Sequence, residues 1–250
     1  MRRSNMQESK YLVCKSWEKT KEVLHLNSEV IGVSKLLDLA QKAFGNKPTI
    51  SSLSHPFFVI EGLDGTGKST VVKGLCKDLN ATGAQTPPPN LLEIRSTFDK
   101  LDTQLKRAYY STGNYLTAHY LQQLCQERVV VMDRFWHSTA AYTISETCFS
   151  KQEELPEPGD EIYNWPEDLL KPTAVIFLKV SEEERLRRIY SRDGDNITVE
   201  ESQISKNSLF RNMIAESYRR MSNPGVIEVD ANGSQEEVTA RVVQALKTFI

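Results

Sequence analysis

Lys68 and Ser69 close a run of eight residues, GLDGTGKS from Gly62 to Ser69, built from the residue types that hold phosphate. Gly62, Gly67, Lys68 and Ser69 satisfy the spacing GxxxxGK[ST]. Glycines let the backbone turn back and aim successive N–H groups at an anion. The helix that follows adds positive potential at its N-terminus, and the lysine adds a point charge. The stretch Gly62, Leu63, Asp64, Gly65, Thr66, Gly67, Lys68, Ser69 and Thr70 is therefore expected to bind a nucleoside triphosphate. Asp64 reads either as a contact to a second substrate or as an ordinary turn residue. Gly65 leaves the loop without a side-chain cation of its own at that position.

A second charged pair, Asp133 and Arg134, follows the apolar run VVVM. An unpaired carboxylate at the end of a buried strand is costly, so a metal or a basic partner is expected beside it. Asp133 is placed to help hold Mg2+ next to the Ser69 hydroxyl. The planar fork of Arg134 suits phosphate oxygens. A surface Asp–Arg turn is the alternative reading of these two residues alone. The following HSTAAY adds His137, Ser138 and Tyr142. Such a polar cluster fits an anionic acceptor better than a lone water. His137 reads as a structural histidine, since transfer to a phosphate needs no general base.

A third basic group lies in SEEERLRRIYSRDGD, Ser181 to Asp195. Arg185, Arg188 and Arg192 recur near helical spacing, ahead of a loop expected at 193 to 196. This reads as an arginine-bearing lid that brings positive charge over the triphosphate. A solvated charged helix is the bland alternative.

These groups need elements to carry them. Phe57 to Ile60 reads as a strand and the segment after Lys68 as a helix. ATGAQTPPPN reads as a connection and Leu91 to Ile94 as a short second strand. Residues 101–126 show a long helical pattern. Arg128 to Phe135, Thr173 to Val180 and Val226 to Val229 read as further strands, with a closing helix over 234–248. Strands separated by helices predict an α/β fold, a parallel sheet flanked by helices. Its ligands would sit at the strand C-terminal ends, where Gly62–Ser69 and Asp133–Arg134 fall. QEELPEPGDEIYNWPED, with seven acids and no Lys or Arg, is expected to pack outside the reaction centre. Tyr163 and Trp165 would anchor it, with its acids facing water.

Residues 1–56 carry nine Lys or Arg against five Asp or Glu and precede the first core strand. They read as a helical extension, with one amphipathic helix around 30–44, and a linker, GNKPTISSLSHP. Residues 57–250 read as the catalytic domain. A length of 250 residues allows one substantial core. A net charge of -2 gives no general electrostatic case for binding a nucleic acid polymer. Cys14, Cys76, Cys125 and Cys148 contain no CxxC pair and read as free thiols. No apolar run is long enough for a transmembrane segment.

Six stretches, FFVIEGLDGTGKSTVVKGL, LKRAYYSTGNYLTAHYL, VVVMDRFWHSTAAYTI, YNWPEDLLKPTAVIFLKV, SEEERLRRI and YRRMSNPGVIEVDA, resemble the thymidylate kinase family of nucleoside monophosphate kinases. FWHSTAAY and YNWPEDLLKP are most similar to its mitochondrial UMP-CMP kinase branch. The resemblance implies a P-loop kinase fold and Mg2+-dependent transfer of the γ-phosphoryl group of ATP to CMP, UMP or their deoxy forms. It gives Asp64 to the acceptor sugar, Arg134 to the acceptor phosphate and Tyr142 to a position beside the sugar. Lys68, Arg134, Arg188 and Arg192 become the catalytic cations, with Ser69 and Asp133 at the metal. Arg95, Phe98, Arg107, Tyr110, Asn114 and Ser138 lie where this family binds the acceptor, with helix packing as their alternative role. A homodimer and a mitochondrial address are also implied. A kinase for dTMP and a nucleotide-dependent interaction switch are the competing readings.

Overall fold

The computed structural model describes residues 13–193 and 207–250. Five strands, β1 (Phe57–Gly62), β2 (Thr82–Gln85), β3 (Val130–Asp133), β4 (Ala174–Lys179) and β5 (Val226–Asp230), form one sheet in the order β2-β3-β1-β4-β5. All neighbouring pairs are parallel. The apolar strands are buried on both faces, as helical crossovers require. Alternate residues go to opposite sides. Phe57, Val59, Met132, Val175 and Phe177 face one core, while Phe58, Ile60, Val131, Ile176 and Leu178 face the other.

The second of these cores is closed by α3 (Lys68–Asp78), through Val71, Val72 and Leu75, and by α9 (Gln235–Leu246), through Val238, Val242 and Leu246. The first core is closed by α5 (Thr103–Glu127), α6 (Trp136–Lys151) and α8 (Ser208–Arg220). The register sets Ile60 level with Asp133, and Gly62 level with Leu178. The C-terminal ends of β1, β3 and β4 therefore meet along one edge, which places the phosphate loop beside Asp133.

The second strand differs from the sequence expectation. It lies at Thr82–Gln85, whereas Leu91 to Ile94 spans a short 3-10 turn and the start of α4 (Leu92–Phe98). Thr-Gly-Ala-Gln shows no apolar run because β2 is an edge strand, half exposed. Leu91 is buried from a helical turn, among side chains of the neighbouring helices.

Ahead of the sheet stand α1 (Trp17–Leu26), which the periodicity did not indicate, and α2 (Val33–Phe44). Both pack on α5. Val23, Leu24, Val33 and Leu36 share a core with Phe98, Leu105, Tyr109 and Leu116. The segment 45–56 forms no regular element. It is held to α5 by Gln122, which binds the Thr49 carbonyl at 2.9 Å and accepts from Ser51 N–H at 2.6 Å, and by Gln126 at the Ser52 carbonyl, 3.1 Å.

The acidic excursion is anchored by buried Tyr163 and Trp165. The Tyr163 hydroxyl donates to Pro156 O at 2.9 Å, and Trp165 Nε1 to Leu169 O at 2.8 Å. Asp168 departs from the expectation that the acids all face water. It accepts from Trp17 N–H at 2.7 Å and from the Tyr115 hydroxyl at 2.6 Å, so it fastens α1 to α5. All four cysteines are free thiols. Among the described residues, no helix is long and apolar enough to cross a membrane.

Candidate active site

The phosphate loop runs from the end of β1 into α3. Gly62 takes φ +146°, and a Cβ there would meet Thr66 Oγ1 at 2.7 Å and Leu178 O at 2.9 Å. Only glycine allows that crossing. Lys68 is buried, and its Nζ donates to Leu63 O at 2.8 Å while standing 3.7 Å from Asp64. Burial, with the Arg134 charge adding to it, lowers the Lys68 pKa to about 8 against the opposing pull of Asp64, Asp133 and Glu61. The Ser69 hydroxyl donates to Asp133 Oδ2 at 2.5 Å. One hydroxyl beside one carboxylate fits Mg2+, which keeps several waters and takes phosphate oxygens for its remaining positions. No group of three or more His, Cys, Asp or Glu able to hold a metal occurs among the described residues.

Arg134 sits where β3 turns into α6, in the left-handed conformation at φ +64°. That conformation is costly for a non-glycine residue and tends to occur at functional turns. Its Nη2 donates to Asp64 Oδ1 at 2.5 Å and its Nη1 to Ser138 Oγ at 3.0 Å. Its Cζ lies 5.7 Å from the centre of the Tyr142 ring. Beside it opens a pocket whose walls include Arg95, Lys106, Arg107, Tyr110, Ser138 and Tyr142. A second cleft follows the phosphate loop through Gly65, Gly67, Lys68, Ser69 and Thr70 to Asp133 and Arg188. Asp64, Thr86, Pro87, Arg95 and Arg134 line both.

Two residues expected at the acceptor stand elsewhere. Phe98 is fully buried in the core that α5 shares with α1 and α2, its ring stacked on Tyr109 at 5.0 Å. Its aromatic ring serves packing, since α4 turns that face inward. Asn114 lies behind the pocket wall, donating to Thr139 Oγ1 at 3.0 Å and accepting from the Thr86 hydroxyl at 3.1 Å. Arg107 lines the pocket and is bonded through Nη2 to Glu146. His137 is structural. It is fully buried with Nε2 2.9 Å from Pro224 O, and burial lowers its pKa to about 4.

The helix α7 (Glu182–Asp193) leans on the phosphate loop. Buried Arg185 donates from Nη1 to Asp64 O at 3.0 Å. Arg188 donates to Thr66 O at 3.2 Å and Ala231 O at 3.0 Å, with Glu184 2.7 Å from its Nε. Arg185 and Arg188 are thus tied to backbone carbonyls rather than extended into solvent. Of the loop expected at 193–196, Asp193 is the last residue of α7, while 194–196 and the side chain of Arg192 lie outside the described residues.

Gly65 now has a physical explanation. At φ +84°, a Cβ there would stand 2.8 Å from both Arg185 O and Ile189 Cγ1. The space a longer side chain would need is filled by α7 itself. On the far side of the phosphate loop from Arg134, α7 and the turn at Gly233 to Gln235 enclose a further recess with Thr66, Gly67 and Thr70.

The thymidylate kinase family model matches residues 60–242. The chain belongs to the thymidylate kinase family. Human mitochondrial UMP-CMP kinase 2 is 42% identical over 188 residues, covering 75% of this chain and 42% of that protein. The chain thus spans less than half the length of that relative. A probable thymidylate kinase of Sulfurisphaera tokodaii is 26% identical over 204 residues, 78% of this chain and 97% of that one. A solved thymidylate kinase from Candida albicans shares the fold, with a TM-score of 0.62 at 21% identity, covering 80% of this chain and 94% of that one.

In this thymidylate kinase family member, Glu61, Lys106, Tyr218 and the Gly233–Gln235 turn also stand at or behind the site, beyond the residues expected there. Glu61 carried a signal, a carboxylate closing the otherwise apolar FFVIEG strand. Tyr218 and the turn carried none, because only the fold brings Tyr218 against Glu61 and Ser138 and the turn against the phosphate loop.

Proposed function

We propose that this protein transfers the γ-phosphoryl group of ATP to a pyrimidine nucleoside monophosphate, CMP, UMP, dCMP or dUMP, giving the diphosphate. The observation that carries the reading is the shared wall of the two clefts, where Arg134 and Asp64 meet. A phosphate in the loop and a monophosphate in the neighbouring pocket would approach each other across that wall. In-line phosphoryl transfer needs this juxtaposition and charge stabilisation more than it needs a base.

Each side chain then has a task. The loop N–H groups and Lys68 hold the donor phosphates, with Lys68 leaving the Leu63 carbonyl for a phosphate oxygen. Arg134 orients the acceptor phosphate, and Asp64 accepts from the acceptor sugar. Arg188, and Arg192 by family resemblance, offset charge that develops during transfer. Ser69 and Asp133 would hold Mg2+, which when bound screens the charge of the triphosphate.

The pyrimidine choice is supported by 42% identity to UMP-CMP kinase 2. The family model and the 26% identical relatives favour dTMP as the second reading. Mitochondrial residence, supported by the name of that relative, and a homodimer, supported by the family resemblance, belong to the same proposal.

The deciding experiment supplies ATP and Mg2+ with CMP, UMP, dCMP, dUMP or dTMP and measures diphosphate formed. The cytosine and uracil monophosphates should give product. Product from dTMP alone would replace this reading with the thymidylate one, and ATP turnover with no acceptor phosphorylated would favour a switch. In the same assay, Arg134→Ala should raise KM for the monophosphate about tenfold or more while isolated ATP binding changes less than twofold.

A further inference from the structure

Glu61 closes β1 one residue before the phosphate loop and is fully buried. A carboxylate with no exposure is costly unless its oxygens are satisfied. Here they are. Oε1 accepts from the backbone N–H of Phe135 at 2.9 Å and of Ser138 at 3.2 Å. Oε2 accepts from the Ser138 hydroxyl at 2.5 Å and the Tyr218 hydroxyl at 3.1 Å.

The first pair of bonds acts as a helix cap. Helix α6 has no side-chain cap of its own at Phe135. A residue from the neighbouring strand takes the orphan N–H groups of its first turn instead. Those groups lie directly after Arg134, whose left-handed φ of +64° needs the surrounding structure to hold it.

The second pair fixes the sense of a hydrogen bond. The Ser138 hydroxyl, 2.8 Å from that of Tyr218, gives its proton to Glu61, which as a carboxylate only accepts, and this leaves Ser138 Oγ with lone pairs to offer. One of them accepts from Arg134 Nη1 at 3.0 Å. A hydroxyl has one proton to give. Were that proton turned toward the guanidinium, which only donates, the contact would be lost. The charge on Glu61 also lies close enough to favour the Arg134 cation, and burial raises the Glu61 pKa despite the opposing pull of Arg134 and its hydrogen bonds.

We infer that Glu61 is a positioning residue for the acceptor phosphate, acting through the Ser138 hydroxyl to orient the guanidinium of Arg134. This deepens the proposed phosphotransfer and rests on Arg134 as its acceptor contact. It also recasts Ser138, which serves Arg134 before it serves any ligand.

The test uses Glu61→Gln and Ser138→Ala, each alone and in an Arg134→Ala background. The first readout is nitrogen-15 NMR of the Arg134 side chain without ligand, assigned by comparison with Arg134→Lys. Its N–H signal should exchange slowly in the parent and at least tenfold faster in each single variant. The second readout is calorimetric titration of CMP and of a non-hydrolysable ATP analogue. CMP affinity should fall about tenfold in each single variant, ATP-analogue affinity should stay within twofold, and neither substitution should add more than twofold once Arg134 is alanine. Ser138→Thr, which keeps the hydroxyl, should restore slow exchange.

Unchanged Arg134 exchange, or losses that add in full to Arg134→Ala, would overturn the relay. Should Glu61→Gln fail to fold, Ser138→Ala decides in its place. Should the parent bind no monophosphate, the proposed function fails while the exchange measurement still judges the relay.

Discussion

Lys68 holds a conflict between stability and function. It is a buried cation whose pKa is lowered to about 8, first by burial and then by Arg134. The unfolded lysine keeps its proton to about pH 10.4. Between those values the folded state binds fewer protons, so its stability rises with pH across that window. Below pH 8 both states are charged and the full cost of burial remains. Lys68→Met should therefore be at least as stable as the parent at pH 7, by up to roughly 3 kcal/mol from the shift alone. It should also lose the rise in stability between pH 8 and 10. Turnover should fall by about a hundredfold or more, since a charge-stabilising group is gone. Thermal melts across pH, with turnover at saturating ATP, check both halves. A Lys68→Met variant that melts well below the parent at pH 7 would show that the charge is satisfied by its Leu63 and Asp64 contacts. The residues of this site were legible where a motif fixes their spacing, as at Gly62, Gly67, Lys68 and Ser69. Glu61 stands out as a carboxylate in an apolar strand, but its task could not be read there, because it lies in bonds to Phe135, Ser138 and Tyr218, far along the chain.

Among the elements, long buried strands and helices could be read from periodicity, and the edge could not. β1 and β4 are six-residue strands, buried along almost their whole length, so their apolar runs announce them. β2 is four residues with alternating half-exposed positions, and TGAQ lacks any hydrophobic signature. The contact between α7 and the phosphate loop is equally silent, since it shows in the sequence only as a missing side chain at Gly65. Gly65→Ala should force the loop and α7 apart, because its Cβ would stand 2.8 Å from a backbone oxygen and from Ile189. The positive φ of +84° adds strain that relaxation of α7 alone does not relieve. Overpacking of this kind costs about 1–3 kcal/mol. For a chain of this size that corresponds to a fall in Tm of roughly 2–12 °C. Turnover should fall further than ATP binding, because Arg188 rides on the same helix. A melt within about 1 °C of the parent, with normal turnover, would show that α7 does not press on the loop.

At the scale of the whole molecule, α1 and α2 bear on how far the catalytic fold extends. The charge pattern of residues 1–56 marks them as different, yet it says nothing of where their apolar faces go. The structure puts α1 and α2 on α5, the same helix that carries Lys106, Arg107 and Tyr110 to the pocket beside Arg134. Trp17 fastens α1 at several points. Its ring meets Phe44 at 5.0 Å and Tyr115 at 5.6 Å, and its backbone N–H donates to Asp168. Three residues along, the Thr20 hydroxyl lies 2.7 Å from that of Ser111, four residues after Arg107 on α5. Truncating a buried tryptophan costs about 3–5 kcal/mol. If the extension and the sheet unfold as one unit, Trp17→Ala should lower a single melting transition by roughly 10 °C. Acceptor KM should rise while ATP binding persists, because α5 borders the monophosphate pocket and the phosphate loop leans on α3 and α7. Scanning calorimetry decides the first point. Two resolved transitions, with the larger one unmoved by the substitution, would make α1 and α2 an appendage that folds apart from the sheet. A single transition displaced as a whole would make them structural members of the domain that carries the pocket beside Arg134.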